Sequence, residues 1–221
     1  KIAKEPCFEE NLNKFNTITI DLGSFYSRAE NKNDVLKNLK KWLLDDFRDE
    51  FPDVKIEDND SVADMILRIY KKINTQFIII IDEYDVLIRE RVNETLLKEY
   101  LEFLNSLFKN NELSPAIAFA YLTGILPIIR DKVQSKLNVF EESTMLDPFG
   151  MEEFFGFTKE EVKALCDRYG MSYAECEKWY DGYIIGRMDI YNPNSLVKAM
   201  MRCECANYWQ VTGSYEAVSE Y

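Results

Sequence analysis

The chain has 221 residues, a net charge of −12 and a pI of about 4.7, with 47% hydrophobic and 30% charged side chains. That suits one sizeable globular domain, with or without a small appendage, and the acidity opposes generic binding to the phosphate backbone of DNA or RNA. There is no histidine, which removes Ser/His and Cys/His triads, His-ligated zinc and His general bases, so any chemistry runs on carboxylates, Lys/Arg, Ser/Thr, Tyr or backbone groups. NTITIDLGSFY (16–26) alternates and is β-branched, reading as a strand that ends near Asp21 with Gly23 as the break. Residues 34–50 place Val35, Leu39, Trp42, Leu43 and Phe47 at helical spacing, and Phe51-Pro52 stops that helix. A second helix is expected at about 61–73, capped by Asp60 or Ser61, with Val62, Met65, Ile66, Ile69 and Ile73 on its apolar face.

The stretch QFIIIIDEYDVLIRE (76–90) follows: an unbroken apolar run from Phe77 to Ile81, then Asp82, Glu83 and Asp85. A third amphipathic helix at 94–109 carries Leu97, Tyr100, Leu101, Leu104 and Phe108. SPAIAFAYLTGILP (114–127) supplies another strand, about 116–122, broken at Thr123-Gly124. Strands alternate with helices, and the strands read as buried on both faces. The expected class is therefore α/β, with a mostly parallel sheet flanked by helices.

From about residue 141 the pattern changes. Thr158-Lys159-Glu160-Glu161 is a capping box for a helix closing at Gly170, Ser172-x-x-Glu175 is a second, and Asn192-Pro193 opens a third helix. This tail is expected to be a small helical subdomain, giving a division into 1–140 and 141–221. The five cysteines (Cys7, Cys166, Cys176, Cys203, Cys205) are scattered, and Cys203-x-Cys205 lacks a zinc spacing. They read as free thiols of a reducing cytoplasm. No apolar run is long enough to span a bilayer. The start, KIAKEPCFEEN, lacks Met and a signal-peptide pattern and reads as beginning inside a longer chain.

In a parallel α/β sheet, ligands bind at the carboxyl ends of the strands. Asp82 and Glu83 stand at such an end. A rigidly mounted Asp-Glu pair suits phosphoryl transfer, the first holding Mg²⁺ and the second polarising the attacking water. The plainer alternative is a solvated acidic turn. Asp85 has its own simpler role as a helix N-terminal acid. Thr123 ends the next strand, where a hydroxyl can sense a γ-phosphate; its alternative is a strand-ending turn before Gly124. The eight glycines do not form Gly-x-x-x-x-Gly-Lys-Ser/Thr, so the phosphate cradle of a P-loop is not in these residues.

IIIIDEYDVLIRE followed by FAYLTGILPI resembles the bacterial predicted AAA-ATPase, or AAA-ATPase-like, family. The similarity continues through KLNVFEESTMLDP, EFFGFTKEEVKAL, KWYDGY, IYNPNSLVKAM and YWQVTGSYEAV, covering roughly residues 14–218. The resemblance implies a P-loop NTPase core of the additional-strand type followed by a helical lid. It makes Asp82 and Glu83 look like the Walker B pair and Thr123 like the end of the sensor strand, with Mg²⁺ and ATP bound by the complete domain. Family members usually open with a P-loop and often end with a nuclease-like domain; neither is in these residues, so roughly the first quarter of the ATPase domain is expected either to lie upstream or to be naturally absent from a truncated relative.

Other residues have plainer readings. WYDGY (179–183) reads as a helix C-terminus with Trp179 and Tyr180 buried and Gly182 turning the chain; Asp181 receives no chemical role. Arg130 is an arginine-finger candidate, with a solvated partner of Asp131 as its simpler reading; Lys132 and Lys136 add too little charge for nucleic-acid binding. The leading expectation is part of an ATP-binding, ATP-hydrolysing protein. The first rival is a non-enzymatic switch or scaffold coupled to a protein partner or nuclease-like domain. The second is a metal hydrolase using Asp82, Glu83 and Asp85 without a P-loop. An incomplete sheet also leaves an edge for pairing with another chain, including a second copy.

Overall fold

A computed structural model describes residues 2–125 and 139–209. Arg130, Asp131, Lys132 and Lys136 lie outside the described residues. The chain divides into two compact units, Lys1–Glu141 and Glu142–Tyr221.

In the first unit, a short helix α1 (Phe8–Asn11) precedes β1 (Asn16–Asp21), α2 (Leu22–Arg28), α3 (Val35–Glu50), α4 (Val62–Ile73), β2 (Phe77–Asp82), α5 (Val86–Arg89), α6 (Glu94–Phe108) and β3 (Ile117–Leu122). The sheet order is β1-β2-β3, parallel throughout, as helical connections between strands require. β2 is central. Its register against β1 runs from Asn16↔Phe77 to Asp21↔Asp82, so both strands end in an aspartate at the same level.

The period of two along each strand divides the sheet into two faces. Ile18 and Ile20 of β1 join Phe77, Ile79 and Ile81 of β2 on the core face, against Leu39, Leu43 and Phe47 of α3, Met65, Ile66 and Ile69 of α4, and Tyr100 and Leu104 of α6. α4 starts from a reciprocal box between Ser61 and Asp64 and ends at Asn74 in the left-handed region. Just before it, Asp60 is buried against Arg68. Burial alone would raise its carboxyl, but the Glu57 N–H and the Arg68 guanidinium outweigh that and hold it below the usual range.

The opposite face corrects the expectation of strands buried on both sides. Thr17 and Thr19 are exposed, Ile78 and Ile80 half-buried, and Phe119 and Tyr121 stand 58% and 45% exposed. β3 borders β2 alone among the described residues, so its apolar run covers one face of the sheet rather than filling its middle. Trp42 and Ile73, expected on apolar helix faces, are also largely exposed; Trp42 meets Phe25 edge-on.

The second unit corrects a further expectation. It contains helices α7 (Lys159–Tyr169), α8 (Tyr173–Tyr180) and α9 (Pro193–Arg202), but also β4 (Phe157–Thr158), β5 (Asp181–Ile185) and β6 (Met188–Tyr191), an antiparallel sheet of order β4-β6-β5. It is therefore mixed rather than helical. The Thr158–Glu161 box, the Ser172 and Asn192 caps and the left-handed Gly170 stop occur where the sequence places them. WYDGY differs: α8 ends at Tyr180, Trp179 is partly exposed, and Gly182 lies within β5 instead of turning the chain. Tyr191 of β6 bonds Tyr173, which bonds Glu177, which also pairs with Lys159 at 3.2 Å. Burial first, then the Tyr173 hydrogen bond, pushes the Tyr191 hydroxyl far above its usual range, so it serves as a structural tether. All five cysteines are free thiols, with Cys176 and Cys205 Sγ atoms 3.6 Å apart. Among the described residues no helix is long and apolar enough to cross a membrane.

The central strand anchors the first core. Ile79→Ala, at a fully buried position, is expected to cost about 3 kcal/mol in urea unfolding. A loss below about 1 kcal/mol would contradict the described core.

Candidate functional site

The carboxyl ends of β1 and β2 carry the site. β2 delivers Asp82 on the face opposite the core, because Ile79 and Ile81 take the core side and the next position alternates outward. Beyond the last paired residues, the chain continues to bond: the Thr123 N–H donates to Ile81 O and the Tyr84 N–H donates to Thr123 O, both at 2.9 Å. These two bonds fasten the turn after β2 to the turn after β3. The Thr123 hydroxyl donates to Asp82 Oδ1, and the Glu83 N–H donates to the same oxygen at 3.0 Å. Thr123 therefore does more than end a strand, and Asp82 is held in one orientation with Oδ1 occupied.

Glu83 has φ of 53°, in the left-handed region that a non-glycine residue enters at a cost of roughly 1–2 kcal/mol. The surrounding bonds impose this conformation. Tyr84 is buried, its N–H held by Thr123 and its carbonyl accepting from the Tyr100 hydroxyl at 2.6 Å. Burial first, then neighbouring Tyr84 and Asp85, pushes the Tyr100 hydroxyl well above the usual tyrosine range, which keeps it a donor. Gly124 is required here by space rather than by φ. A Cβ at that position would fall 2.6 Å from the Tyr84 ring and 2.7 Å from the Asp85 carboxylate.

The three acids of IDEYD separate by environment. Asp82 and Glu83 are exposed, whereas the Asp85 side chain is 0% exposed. Asp85 occupies the position before α5 but makes no side-chain cap; it accepts the Ile125 N–H at 3.2 Å and pairs with Arg89 at 3.6 Å. Asp85 thus stands at a helix start, as its simpler reading expects, and also forms a buried tie between turns. An open triad of Asp82, Glu83 and Asp85 is not what the fold presents. Glu83 Oε2 also pairs with Arg89, at 3.2 Å.

One residue in this group was not singled out from the sequence. Asp21 ends β1 opposite Asp82 and accepts from the Ser24 hydroxyl at 2.6 Å and the Ser24 N–H at 2.8 Å, capping α2. The signal was available as two strands each ending in Asp, but only parallel register sets them side by side. Among the described residues no group of three or more acidic, Cys or His side chains could cage a metal ion. The donors present are hard carboxylate and hydroxyl oxygens. Both hydrogen bonds to Asp82 use Oδ1, so Oδ2 is the oxygen fitted to a water-rich ion such as Mg²⁺, which takes one or two carboxylates and completes its shell elsewhere.

The Ser24 hydroxyl, and then the Ser24 N–H, hold the Asp21 carboxyl below its ordinary value. The ionised cap thus contributes stability above the unfolded value of about 3.9, and that contribution disappears as pH falls through the lower folded value. Asp21→Ala is expected to cost about 1 kcal/mol at pH 7, with the difference from the parent chain shrinking below about pH 4. Urea unfolding at both pH values checks this; a pH-independent difference would contradict it.

The family model described as Predicted AAA-ATPase matches residues 1–134, more than half of the chain and within the first compact unit. An "Uncharacterized protein in vnfD 5'region" of Azotobacter chroococcum mcd 1 is 26% identical over 145 residues, 62% of this chain and 27% of that protein. The chain thus spans about a quarter of that relative's length (27%). It is to the predicted AAA-ATPase family that this chain belongs.

Proposed function

We propose that the first unit is part of an ATP-binding and ATP-hydrolysing P-loop NTPase of the AAA-like type. Residues 1–140 supply the α/β core and residues 141–221 a lid-like appendage. The observation that carries the reading is the hydrogen-bonded end of β2. Asp82 stands at the carboxyl end of the central parallel strand, oriented by the hydroxyl of Thr123 from the neighbouring strand's end. Open α/β sheets bind ligands at such an end.

Mg²⁺, when bound with the nucleotide, neutralises phosphate charge and aligns the terminal phosphoryl group for in-line attack. Asp82 would hold it, directly or through water, by Oδ2. Thr123 keeps Asp82 Oδ1 hydrogen-bonded and would sense the γ-phosphate. Glu83 is the carboxylate that takes a proton from the attacking water. The phosphate cradle is to be sought outside these 221 residues, since none of their glycines stands in a P-loop spacing. A cytoplasmic setting, a homo-oligomer and a nuclease-like or other protein partner belong to the same proposal.

The missing P-loop spacing also favours a second reading, in which the fold acts as a non-enzymatic switch or scaffold. The two are separated by Glu83→Gln in the protein that carries this chain. Hydrolysis should fall by about a hundredfold or more while Mg-ATP stays bound. Unchanged turnover would remove Glu83 from the mechanism. Loss of all nucleotide binding with the fold intact would remove the proposed role as well.

A further inference from the structure

Arg89 lies on α5, six residues after Glu83, and its side chain is only 19% exposed. The guanidinium reaches two carboxylates of opposite character. Asp85 is fully buried and also holds the Ile125 N–H, so that contact is fixed by the fold. Glu83 is 47% exposed, so that contact is exchangeable with solvent or ligand.

The resting place of Glu83 is defined on a second side. Its carboxylate lies over Gly23, at the start of α2, and a Cβ added there would overlap Oε2. Gly23 is the second residue after β1, whereas the Thr123 hydroxyl reaches Asp82 from the β3 side. Glu83 is thus drawn towards β1, away from the edge where Thr123 and Asp82 meet. A carboxylate that accepts a guanidinium hydrogen bond has one oxygen committed and is held where that bond places it. Glycine is also an unfavourable choice inside a helix turn. Here it provides the room in which the Glu83 carboxylate rests.

We propose that Arg89 is a positioning residue, anchored by Asp85, that latches Glu83 in a resting position over Gly23, and that turnover requires Glu83 to leave this latch. The proposal rests on the hydrolytic role of Glu83 given above. It assigns regulation to a side chain outside the Asp-Glu pair and makes the α2–α5 contact the place where a partner or nucleotide would act on rate.

The test is steady-state ATP hydrolysis by the protein that carries this chain, comparing the parent with Gly23→Ala, Arg89→Lys and each of these combined with Glu83→Gln. Gly23 is not in the left-handed region, and the atoms a new methyl meets are the tip of a flexible side chain, so Gly23→Ala should fold with an unchanged or raised melting temperature. It should raise kcat about two- to fivefold with KM for ATP unchanged, the range that release of a partly exposed ion pair allows. Arg89→Lys, which lacks the planar fork that bridges both carboxylates, should shift kcat the same way. Either change combined with Glu83→Gln should be as slow as Glu83→Gln alone. An unchanged or lowered kcat in Gly23→Ala, with the parent active and the melting temperature kept, overturns the latch and leaves the role of Glu83 standing. Equal turnover by the parent and Glu83→Gln overturns that role, and the latch falls with it.

Discussion

The two backbone hydrogen bonds that tie Thr123 to Ile81 and Tyr84 hold this site together. They carry the pairing of β2 and β3 one step past the end of the ladder. Without them the turn after β2 would be an ordinary acidic loop. With them, the Thr123 hydroxyl meets Asp82, Glu83 is forced to positive φ, and Tyr84 is driven into the core, where Tyr100 holds its carbonyl. The same fastening sets Gly124 against the Tyr84 ring and the Asp85 carboxylate, leaving no space for a side chain.

This arrangement assigns three neighbouring acids three tasks by environment alone. Asp85 is buried and serves the structure, Asp82 is oriented and exposed, and Glu83 is strained and exposed. Strain of this kind persists only where surrounding bonds over-determine it, and it gathers at functional positions. Asp21 adds a fourth carboxylate at the same level, but its bonds to Ser24 tie it to the start of α2. The acidic end of the sheet is therefore a set of separately restrained groups rather than a diffuse negative patch.

Much of the first unit was legible in the sequence because its signals are local. Apolar runs of strand length, helical spacing from Val35 and Val62, and the Ser61 cap each act within a few residues. The position of Asp82 at a strand end could be read from the break after Ile81. What could not be read depends on distant partners. IAFAYL has the same composition whether or not a layer covers Phe119 and Tyr121. Asp21 becomes Asp82's neighbour only through register, and Arg89 reaches Glu83 only because α5 turns back within one helical turn. β5 and β6 escaped notice because DGYII and MDIY are only five and four residues long, and they pair with each other across a tight connection instead of showing a long alternating pattern.

The central claim is that Asp82, fixed by Thr123 at the end of β2, organises a magnesium nucleotide. Calorimetric titration of Mg-ATP into the protein that carries this chain, beside Asp82→Asn, tests it most directly. The account predicts binding by the parent that weakens at least about tenfold in the variant, equivalent to about 1.4 kcal/mol, with the fold unchanged. Equal affinity in the two, or no binding by the folded parent, would contradict it.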